Sequence, residues 1–313
     1  MTTRKNNNSI RNKTLKSKIR LNCHPDNKKK KIVRGSCLPL EVLEILKESY
    51  NSNYPENMIY ATKPRLIWKG LKERLYNCSN EECWLNVIED EEIKEKLRLF
   101  MDRPMEPYSW KMNPYTWLSN NDIDNVLEKY SESYKKFYAV DTSAIDFKHP
   151  NSCDKVEELC SKDNKIKNIN LSIKNHQKNG KTKLGMVFNL AKWDEDGTHW
   201  VALYVDLDDK FIYYFDSTGR NPPEEIKILI NHIKSQCLNL TEPIVLKEYN
   251  NRIIHQRKNT ECGMYCLFFL ITMLSSKINN IGIESLEEKI DLFKKERLSD
   301  DYIHKFRKIY FKE

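Results

Sequence analysis

A mainly apolar segment near the end of the chain, preceded by a polar loop, constrains the fold more than any other feature of the sequence. The apolar run extends from Tyr265 to Leu274, and the loop before it reads HQRKNTECG over positions 255–263. A run of this length and composition predicts a helix. The chain has 313 residues with 39% hydrophobic content, which supports one large domain or one domain with an appendage.

Two side chains of this loop indicate chemistry. Cys262 lies at the start of the predicted helix, where the positive end of the helix dipole favours a thiolate. Gln256 precedes it by six residues and can donate an amide N–H to a developing oxyanion. The alternative is that Cys262 packs in an ordinary core helix, since free cysteine is among the most buried residue types. The residues that precede the loop distinguish these interpretations.

The centre of the chain carries strand-like patterns. Segments rich in β-branched and aromatic residues are bounded by turn residues, and the acidic pair at 208–209 predicts a hairpin turn. The order of helix, strands, helix, strand and cysteine helix predicts an α+β fold, with a central sheet and helices against it. The predicted elements are strands at 184–190, 198–206 and 210–216, a helix at 224–237 and a strand at 243–249.

The hairpin places two polar residues side by side. His199 opens one strand and Asp216 closes the next, so the two are expected to be neighbours. Such a carboxylate holds an imidazole in one tautomer and stabilises its protonated form, which in turn stabilises a nearby thiolate at Cys262. Taken singly, the histidine is more often an ordinary polar residue and the aspartate a turn residue bonded to its own backbone. His255 is the rival base because it is nearer to Cys262 in sequence, but no partner carboxylate is predicted for it.

Composition divides the chain into three regions. Apolar stripes at 40–46 and 93–100 predict helices early in the chain. Prolines at 104, 107 and 114 mark a boundary after them. The predicted regions are a basic, disordered arm at 1–36, a helical N-terminal region at 37–110 and a core domain at 111–313.

The core domain begins with two further predicted features. Ser119 or Asn120 can cap a helix whose apolar face includes Ile123 and Val126. Residues 150–183 are polar, rich in Lys and Asn, and without a long apolar period, which predicts a surface insertion.

Positive charge is concentrated in the arm. Residues 1–34 hold twelve Lys or Arg and one acid, whereas the whole chain has a net charge of +8, so the remainder is slightly acidic. An arm of this composition is expected to be disordered. It can contact nucleic acid by neutralising phosphates, act as a nuclear address, or simply solubilise the chain.

Cysteine content and hydropathy indicate the cellular environment in which the chain is expected to work. Nine scattered cysteines predict a reducing, intracellular environment with mostly free thiols. Cys78 and Cys83 could begin a zinc site completed by Cys23, His24 or Cys37, but no second well-spaced pair exists, so two packed thiols are expected and no metal or cofactor is predicted. No apolar run approaches about 18 residues, and the N-terminus lacks the apolar region of a secretory signal, so no membrane association is expected.

Four segments carry a resemblance to a known family. They are THWV at 198–201, YFDSTG at 214–219, the loop at 255–263 and the ending at 298–307. Over residues 115–313 the chain resembles the adenain and SUMO-deconjugase (Ulp1-like) clan of cysteine proteases, and within it the polyprotein-processing proteases of African swine fever virus and giant DNA viruses. The resemblance implies a papain-related α+β fold in which helices pack on a central mixed sheet and the nucleophile lies at a helix N-terminus.

The resemblance also implies a role for each site residue. Cys262 would be the nucleophile, and His199 the general base that later protonates the leaving amine. Asp216 would orient His199. Gln256 and the backbone N–H of Cys262 would form the oxyanion hole. Glu261 stands where SUMO proteases usually have aspartate, which weakens a deconjugase interpretation slightly.

Trp117 and Trp200 match two aromatic positions that, in SUMO proteases, wall a narrow tunnel over a Gly-Gly segment. Two facing rings leave room for backbone but not for a Cβ, so a substrate would need glycine just before the cut. The alternative is that both tryptophans are core aromatics.

The expected function is therefore a viral endopeptidase that cleaves structural polyproteins after Gly-Gly-type sites during virion maturation, in the virion and host-cell cytoplasm. An isopeptidase that removes a SUMO- or ubiquitin-like modifier would use the same chemistry. A related acyltransferase is more distant, because the tryptophan pair argues against it. An inactive DNA- or virion-binding structural protein would explain the basic arm but not the filled catalytic positions.

Overall fold

The computed structural model describes residues 38, 40–78, 81–149, 159, 171–275, 283 and 285–312, and the arm predicted at 1–36 lies outside them. The chain forms two compact units, one ending at Arg103 but including Lys312, and the other spanning Pro104–Phe311. The boundary is therefore earlier than the predicted one at residue 110. The reason is that Trp110 packs edge-on against Phe311, with ring centroids 5.0 Å apart, inside the second unit.

The first unit is helical, as predicted. Apolar positions at the 3.6-residue spacing meet in one cluster, which includes Val42, Leu46, Leu71, Trp84 and Leu97. The helix that starts at Pro64 was not predicted, although proline at the first helical position is favourable because its missing N–H would be unpaired there anyway. The elements are α1 (Leu40–Asn53), α2 (Pro64–Arg74) and α3 (Glu91–Asp102), with 3₁₀ turns at Pro55–Asn57 and Glu82–Val87.

A disulfide joins Cys78 to Cys83 in this unit. The expectation of two packed thiols is wrong here, because the turn holds the two Cα atoms 5.4 Å apart, a normal disulfide separation. The residues that would complete a zinc site, at positions 23, 24 and 37, lie outside the described part of the chain. Cys237, Cys262 and Cys266 are free thiols.

A mixed sheet organises the second unit, which confirms the predicted fold class. The strands are β1 (Phe137–Ala139), β2 (Ser143–Ala144), β3 (Lys183–Asn189), β4 (Trp200–Asp206), β5 (Phe211–Phe215) and β6 (Lys247–Asn250). The centre of the sheet is antiparallel, and its outer strands pair in parallel, in the order β1-β3-β4-β5-β6 with β2 also on β3. The shortest two strands were not predicted, because two or three residues are too few to show a period of two.

Helices surround this sheet. Ser119, rather than Asn120, caps the first of them in a capping box with Asp122. None of the helices in the described part of the chain has the length and apolar character that a membrane crossing requires. The helices are α4 (Asn120–Ser133), α5 (Ile173–Lys178), α6 (Glu224–Leu238), α7 (Cys262–Leu274), α8 (Leu286–Lys295), α9 (Asp300–His304) and α10 (Arg307–Tyr310), with a 3₁₀ turn at Tyr108–Lys111.

Both faces of the central strands are covered, and every residue of β4 and β5 is buried. On one face Phe269 of α7 stacks on Phe215, with ring centroids 4.7 Å apart. On the other face apolar residues of α6, such as Leu229 and Ile233, join Val201 and Leu203 in one cluster. This double coverage explains why the strands read as apolar runs rather than as alternating patterns.

Helix α7 is the central helix of this unit. Its residues from Cys262 to Met273 are all buried, so the apolar run that predicts it needs no polar face. The predicted surface insertion is partly wrong, because Leu159, Leu171 and Ile173 belong to the core. Residues 150–158 and 160–170 of that segment lie outside the described residues.

Candidate active site

One terminus of each of three elements in the second unit lies at the same place. His199 immediately precedes β4, Asp216 immediately follows β5, and Cys262 is the first residue of α7. Because β4 and β5 are antiparallel, with Ala202 paired to Phe215, the start of one strand lies beside the end of the other. The hairpin therefore brings the histidine and the aspartate together, as predicted.

The contact between the two side chains is short. His199 Nε2 lies 2.7 Å from Asp216 Oδ1, and the aspartate side chain is fully buried. Burial opposes protonation of His199, but hydrogen bonds to Asp216 and Cys262 and their negative charges outweigh it and raise its pKa to about 9. Burial likewise raises the pKa of Asp216, but His199 and Thr218 outweigh it and lower that pKa. The site thus favours an imidazolium beside an ionised carboxylate.

A second residue fixes the backbone of Asp216. The Asp216 N–H donates to Asn251 Oδ1 (2.9 Å), and Asn251 Nδ2 donates to the Asp216 carbonyl (2.6 Å). Asn251 is fully buried. The sequence analysis missed it, because a contact across 35 residues leaves no local pattern in the sequence.

The turn after Asp216 depends on a glycine. Gly219 has a φ of +73°, and a Cβ on it would lie 2.8 Å from the carbonyl oxygen of Ile253. Its N–H donates to the Asp216 carbonyl (2.8 Å) and closes the turn. The DSTG segment therefore orients the carboxylate and carries the chain away from the site.

Gln256 has a defined amide orientation. Its Nε2 donates to the carbonyl of Lys258 (2.7 Å), which can only accept, so Oε1 must be the atom that receives the Ser217 hydroxyl (2.7 Å). One N–H of the amide remains for a further acceptor. Ser217 is a second residue that sequence reasoning missed, although its place next to Asp216 was a signal.

His255 is engaged elsewhere. It is fully buried, its Nε2 donates to the Phe293 carbonyl (3.0 Å), and its Nδ1 accepts from the Leu298 N–H (3.2 Å). Burial lowers its pKa. Both ring nitrogens thus bond to the backbone, which is the environment of a structural, neutral histidine.

The two predicted tryptophans line one cleft of about 420 Å³. Trp200 is buried and donates from Nε1 to the Leu118 carbonyl (3.0 Å), whereas Trp117 is 38% exposed. The cleft continues to Trp193, which sequence reasoning did not single out. A Cβ on Gly263 would lie 3.1 Å from Leu118 and 3.3 Å from Trp200, so a larger residue after Cys262 would require these neighbours to shift by a few tenths of an ångström.

Glu261, the residue before Cys262, is buried, and both of its carboxylate oxygens have side-chain partners. Its Oε2 accepts from Arg307 Nε (2.9 Å) and its Oε1 from His304 Nδ1 (3.0 Å). Arg307 is itself buried, and its guanidinium lies 4.3 Å from the centroid of the Trp110 ring. The loop before Cys262 is therefore tied to the C-terminal helices.

A family model and individual relatives match the chain. The Ulp1 protease family, C-terminal catalytic domain, matches residues 117–306. The SUMO-1 cysteine protease of African swine fever virus is 26% identical over 255 residues, covering 77% of this chain and 85% of the relative. A protein of Acanthamoeba polyphaga mimivirus designated a thiol protease is 29% identical over 196 residues, 63% of this chain, and the match spans only 57% of the mimivirus protein.

A solved structure has a similar fold. The crystal structure of the African swine fever virus protease has a TM-score of 0.51 and 21% sequence identity, and the match covers 91% of this chain and 92% of that one. At this identity the likeness concerns the fold, which the two proteins share. Because the family model covers more than half of the chain and all four polar site residues lie within it, this chain belongs to the Ulp1 family of cysteine proteases.

Proposed function

We propose that this protein is a viral cysteine endopeptidase that cleaves structural polyproteins after Gly-Gly-type sites during virion maturation. Cys262 is the nucleophile, His199 the base and acid, Asp216 the residue that orients it, and Gln256 an oxyanion donor. The observation that carries the proposal is the 2.7 Å contact between His199 and Asp216, with Cys262 at the start of α7 near enough to contribute to the raised pKa of His199.

Acylation follows from this geometry. Because Asp216 occupies Nε2 of His199, Nδ1 is the nitrogen available to Cys262. The Cys262 sulfur attacks the carbonyl carbon of the scissile peptide, and the oxyanion accepts from the remaining Gln256 amide N–H and from the Cys262 N–H. The C–N bond then breaks, and His199 transfers its proton to the leaving amine. The product of this step is a thioester on Cys262.

Hydrolysis completes the cycle. His199, now neutral, takes a proton from water as the water attacks the thioester carbonyl. The carboxyl product leaves, and the sulfur is released as the thiolate beside protonated His199. The Asp216 carboxylate stabilises the imidazolium each time it forms in the catalytic cycle, and it stays ionised throughout.

The cleft supports a preference for glycine. Trp117 and Trp200 both line it, and Trp200 is held by the carbonyl of the neighbouring Leu118. Aromatic walls admit an extended backbone more readily than a side chain that branches at Cβ. Substrates with glycine at the two positions before the cut fit this space.

Cleavage-site mapping tests the proposal. The wild-type protein is incubated with a peptide library, and new termini are read by mass spectrometry, with Cys262→Ala as the blank. Cuts after Gly-Gly that vanish in the blank are the expected result. His199→Ala should lose cleavage almost completely and His255→Asn far less, since His255 bonds only to backbone groups. Equal losses in the two histidine variants would contradict the assignment of the base.

A second candidate is an isopeptidase that removes a ubiquitin-like modifier. It is favoured by the designation of the African swine fever virus relative as a SUMO-1 cysteine protease. A modifier ending in Gly-Gly and carrying a C-terminal fluorophore separates the two. Fast turnover of this probe, without cleavage of viral structural polyproteins, would favour the isopeptidase.

The proposed place of action is the virion and the host-cell cytoplasm, where structural polyproteins are assembled. Antibody labelling of purified virions and infected cells tests this. An inactive structural protein is the alternative, and it is excluded if the wild-type protein cleaves peptides that the Cys262→Ala variant leaves intact.

A further inference from the structure

The buried guanidinium of Arg307 bonds to the loop that leads into the proposed nucleophile, Cys262. The proposed catalytic steps do not use it. Arg307 is only 3% exposed. Its Nε donates to Glu261 (2.9 Å), its Nη1 to the Thr116 carbonyl (2.9 Å) and its Nη2 to the Thr260 carbonyl (3.3 Å). Burying a charged group has a large desolvation cost, so the donors of such a group need hydrogen-bond partners. Each of the three Arg307 nitrogens has one.

These partners belong to two segments that meet at the site. Thr260 and Glu261 form the end of the loop that leads into Cys262. Thr116 lies 191 residues away from Arg307 and directly precedes Trp117, which lines the cleft. Arg307 therefore connects the nucleophile loop to the wall of the substrate cleft through a single rigid group.

The backbone of Trp117 is held on both sides. The carbonyl before it, at Thr116, accepts from Arg307 (2.9 Å), and the carbonyl after it, at Leu118, accepts from Trp200 Nε1 (3.0 Å). The same short segment is anchored again where Tyr115 stacks on His304, with ring centroids 4.6 Å apart. Trp117 itself has an exposed ring, so its position depends on its backbone rather than on burial.

We propose that Arg307 is a positioning residue that holds Trp117 at a fixed separation from Trp200 and from Cys262, and thereby sets how strictly the cleft selects glycine before the cut. The inference rests on the proposed Gly-Gly specificity. Arg307 contacts neither the nucleophile nor the cleft, and it acts through the Thr116 carbonyl and the Glu261 carboxylate.

Arginine suits this task better than lysine. Its planar fork places Nε on one partner and the two terminal nitrogens on two others in fixed directions, whereas a lysine ammonium is a point charge on a flexible stem. Arg307→Lys therefore keeps a positive charge near Glu261 but cannot keep all three contacts. It separates positioning from simple charge neutralisation.

The experiment compares the wild-type protein, Arg307→Lys and Arg307→Ala, with Lys305→Ala as a matched control that removes an exposed basic side chain from the same segment. Two fluorogenic peptides are used, identical except for Gly-Gly or Ala-Gly before the cut. The rate of Cys262 alkylation by iodoacetamide reports the nucleophile independently of the cleft, and thermal unfolding reports the fold.

We expect KM and glycine selectivity to change while the alkylation rate of Cys262 stays nearly the same. Arg307→Lys should raise KM for the Gly-Gly peptide and reduce the Gly-over-Ala selectivity by roughly tenfold, since small misplacements of positioning groups carry large kinetic costs. Its alkylation rate should stay within about twofold of wild type, a margin far smaller than the effect of losing a catalytic group. Millimolar guanidinium should partly restore selectivity to Arg307→Ala, and Lys305→Ala should match wild type.

Two outcomes would overturn the inference. One is unchanged KM and selectivity in a folded Arg307→Lys protein. The other is a loss of alkylation in proportion to the loss of cleavage, which would place the effect of Arg307 on the nucleophile. If Arg307→Ala fails to fold, the lysine variant still decides. A wild-type protein without glycine preference would instead contradict the proposed specificity, and KM of Arg307→Lys for its best peptide would then test the positioning role.

Discussion

Asp216 serves two purposes with one oxygen atom. Its Oδ1 accepts from the Thr218 N–H and hydroxyl (both 2.8 Å) as well as from His199 (2.7 Å). A turn residue bonded to its own backbone and a partner of His199 were alternatives for this position, and the structure combines them. The contacts to Thr218 hold the carboxylate in the direction in which it meets His199. Orientation of His199 is thus a local property of the DSTG segment.

The pH dependence of cleavage should report this pair. His199 has a pKa of about 9, so kcat/KM should fall as pH rises through about 9 and the acid for the leaving amine is lost. Asp216→Asn keeps an oxygen for the turn but removes the charge, so the falling limb should move to lower pH. A profile of kcat/KM against pH for both proteins measures the shift. An unmoved limb would contradict the role of Asp216.

The stability of the fold should change with pH in the same direction as the cleavage rate. The pKa of His199 is raised from 6.5 to about 9 on folding, so its proton contributes stability that is complete below about 6.5 and lost as pH rises through about 9. Thermal unfolding of wild type and His199→Ala over this pH range gives an independent check on the profile.

The proposed role of Gln256 as an oxyanion donor leads to a second prediction. Gln256→Ala should lower kcat by roughly 100- to 1000-fold, about 3 kcal/mol of barrier, as for a single oxyanion donor elsewhere. Ser217→Ala should have a smaller effect in the same direction, because it frees the Gln256 carbonyl without removing the donor. Steady-state kinetics on a Gly-Gly peptide measure both. A Ser217→Ala protein as impaired as Gln256→Ala would contradict this order.

Single residues differ in how far the sequence reveals them. His199 and Asp216 could be paired because a hairpin is a local structure with a readable turn. Asn251 and Arg307 could not, because their contacts to Asp216 and Glu261 cross 35 and 46 residues and arise only when the chain packs. Asparagine and arginine in polar segments carry no periodic signal of such a role.

At the scale of elements, α7 and the hairpin form the platform of the site. Phe269 lies between Phe215 and Phe293, with ring centroids 4.7 and 5.0 Å away, and so links α7 to β5, the strand that ends just before Asp216. Strong apolar runs made these elements predictable. The bounds of β6 were harder to predict. The strand was expected at 243–249, but it spans Lys247–Asn250 and leaves out the apolar residues at the start of that range.

Removing this link should destabilise the protein more than it alters the chemistry. Phe269→Ala is expected to cost about 3–5 kcal/mol of unfolding free energy, since it leaves a cavity in a packed core. Ile228→Ala on α6 is a matched control, because that side chain is 42% exposed and its loss should cost under about 0.5 kcal/mol. Denaturant unfolding measures both, and equal costs would contradict the central place of α7.

At the scale of the whole molecule, we expect the basic arm to contribute to DNA contact rather than to peptide cleavage. Deletion of residues 1–36 removes twelve Lys or Arg, so DNA affinity and its dependence on salt should both fall. Cleavage of a short Gly-Gly peptide should remain unchanged. Fluorescence anisotropy with duplex DNA at several salt concentrations measures the first effect. DNA affinity that survives the deletion would rule out the arm as the contact, and replacing Lys28–Lys31 by glutamine tests charge alone.

The tryptophans give the cleft an optical property. The chain has six tryptophans, and Trp117, Trp193 and Trp200 all line this one cleft. Indole emission shifts to shorter wavelength as water leaves the ring. If a peptide enters this cleft as proposed, we expect the intrinsic emission of the protein to change, so that an uncleaved substrate is followed without any label.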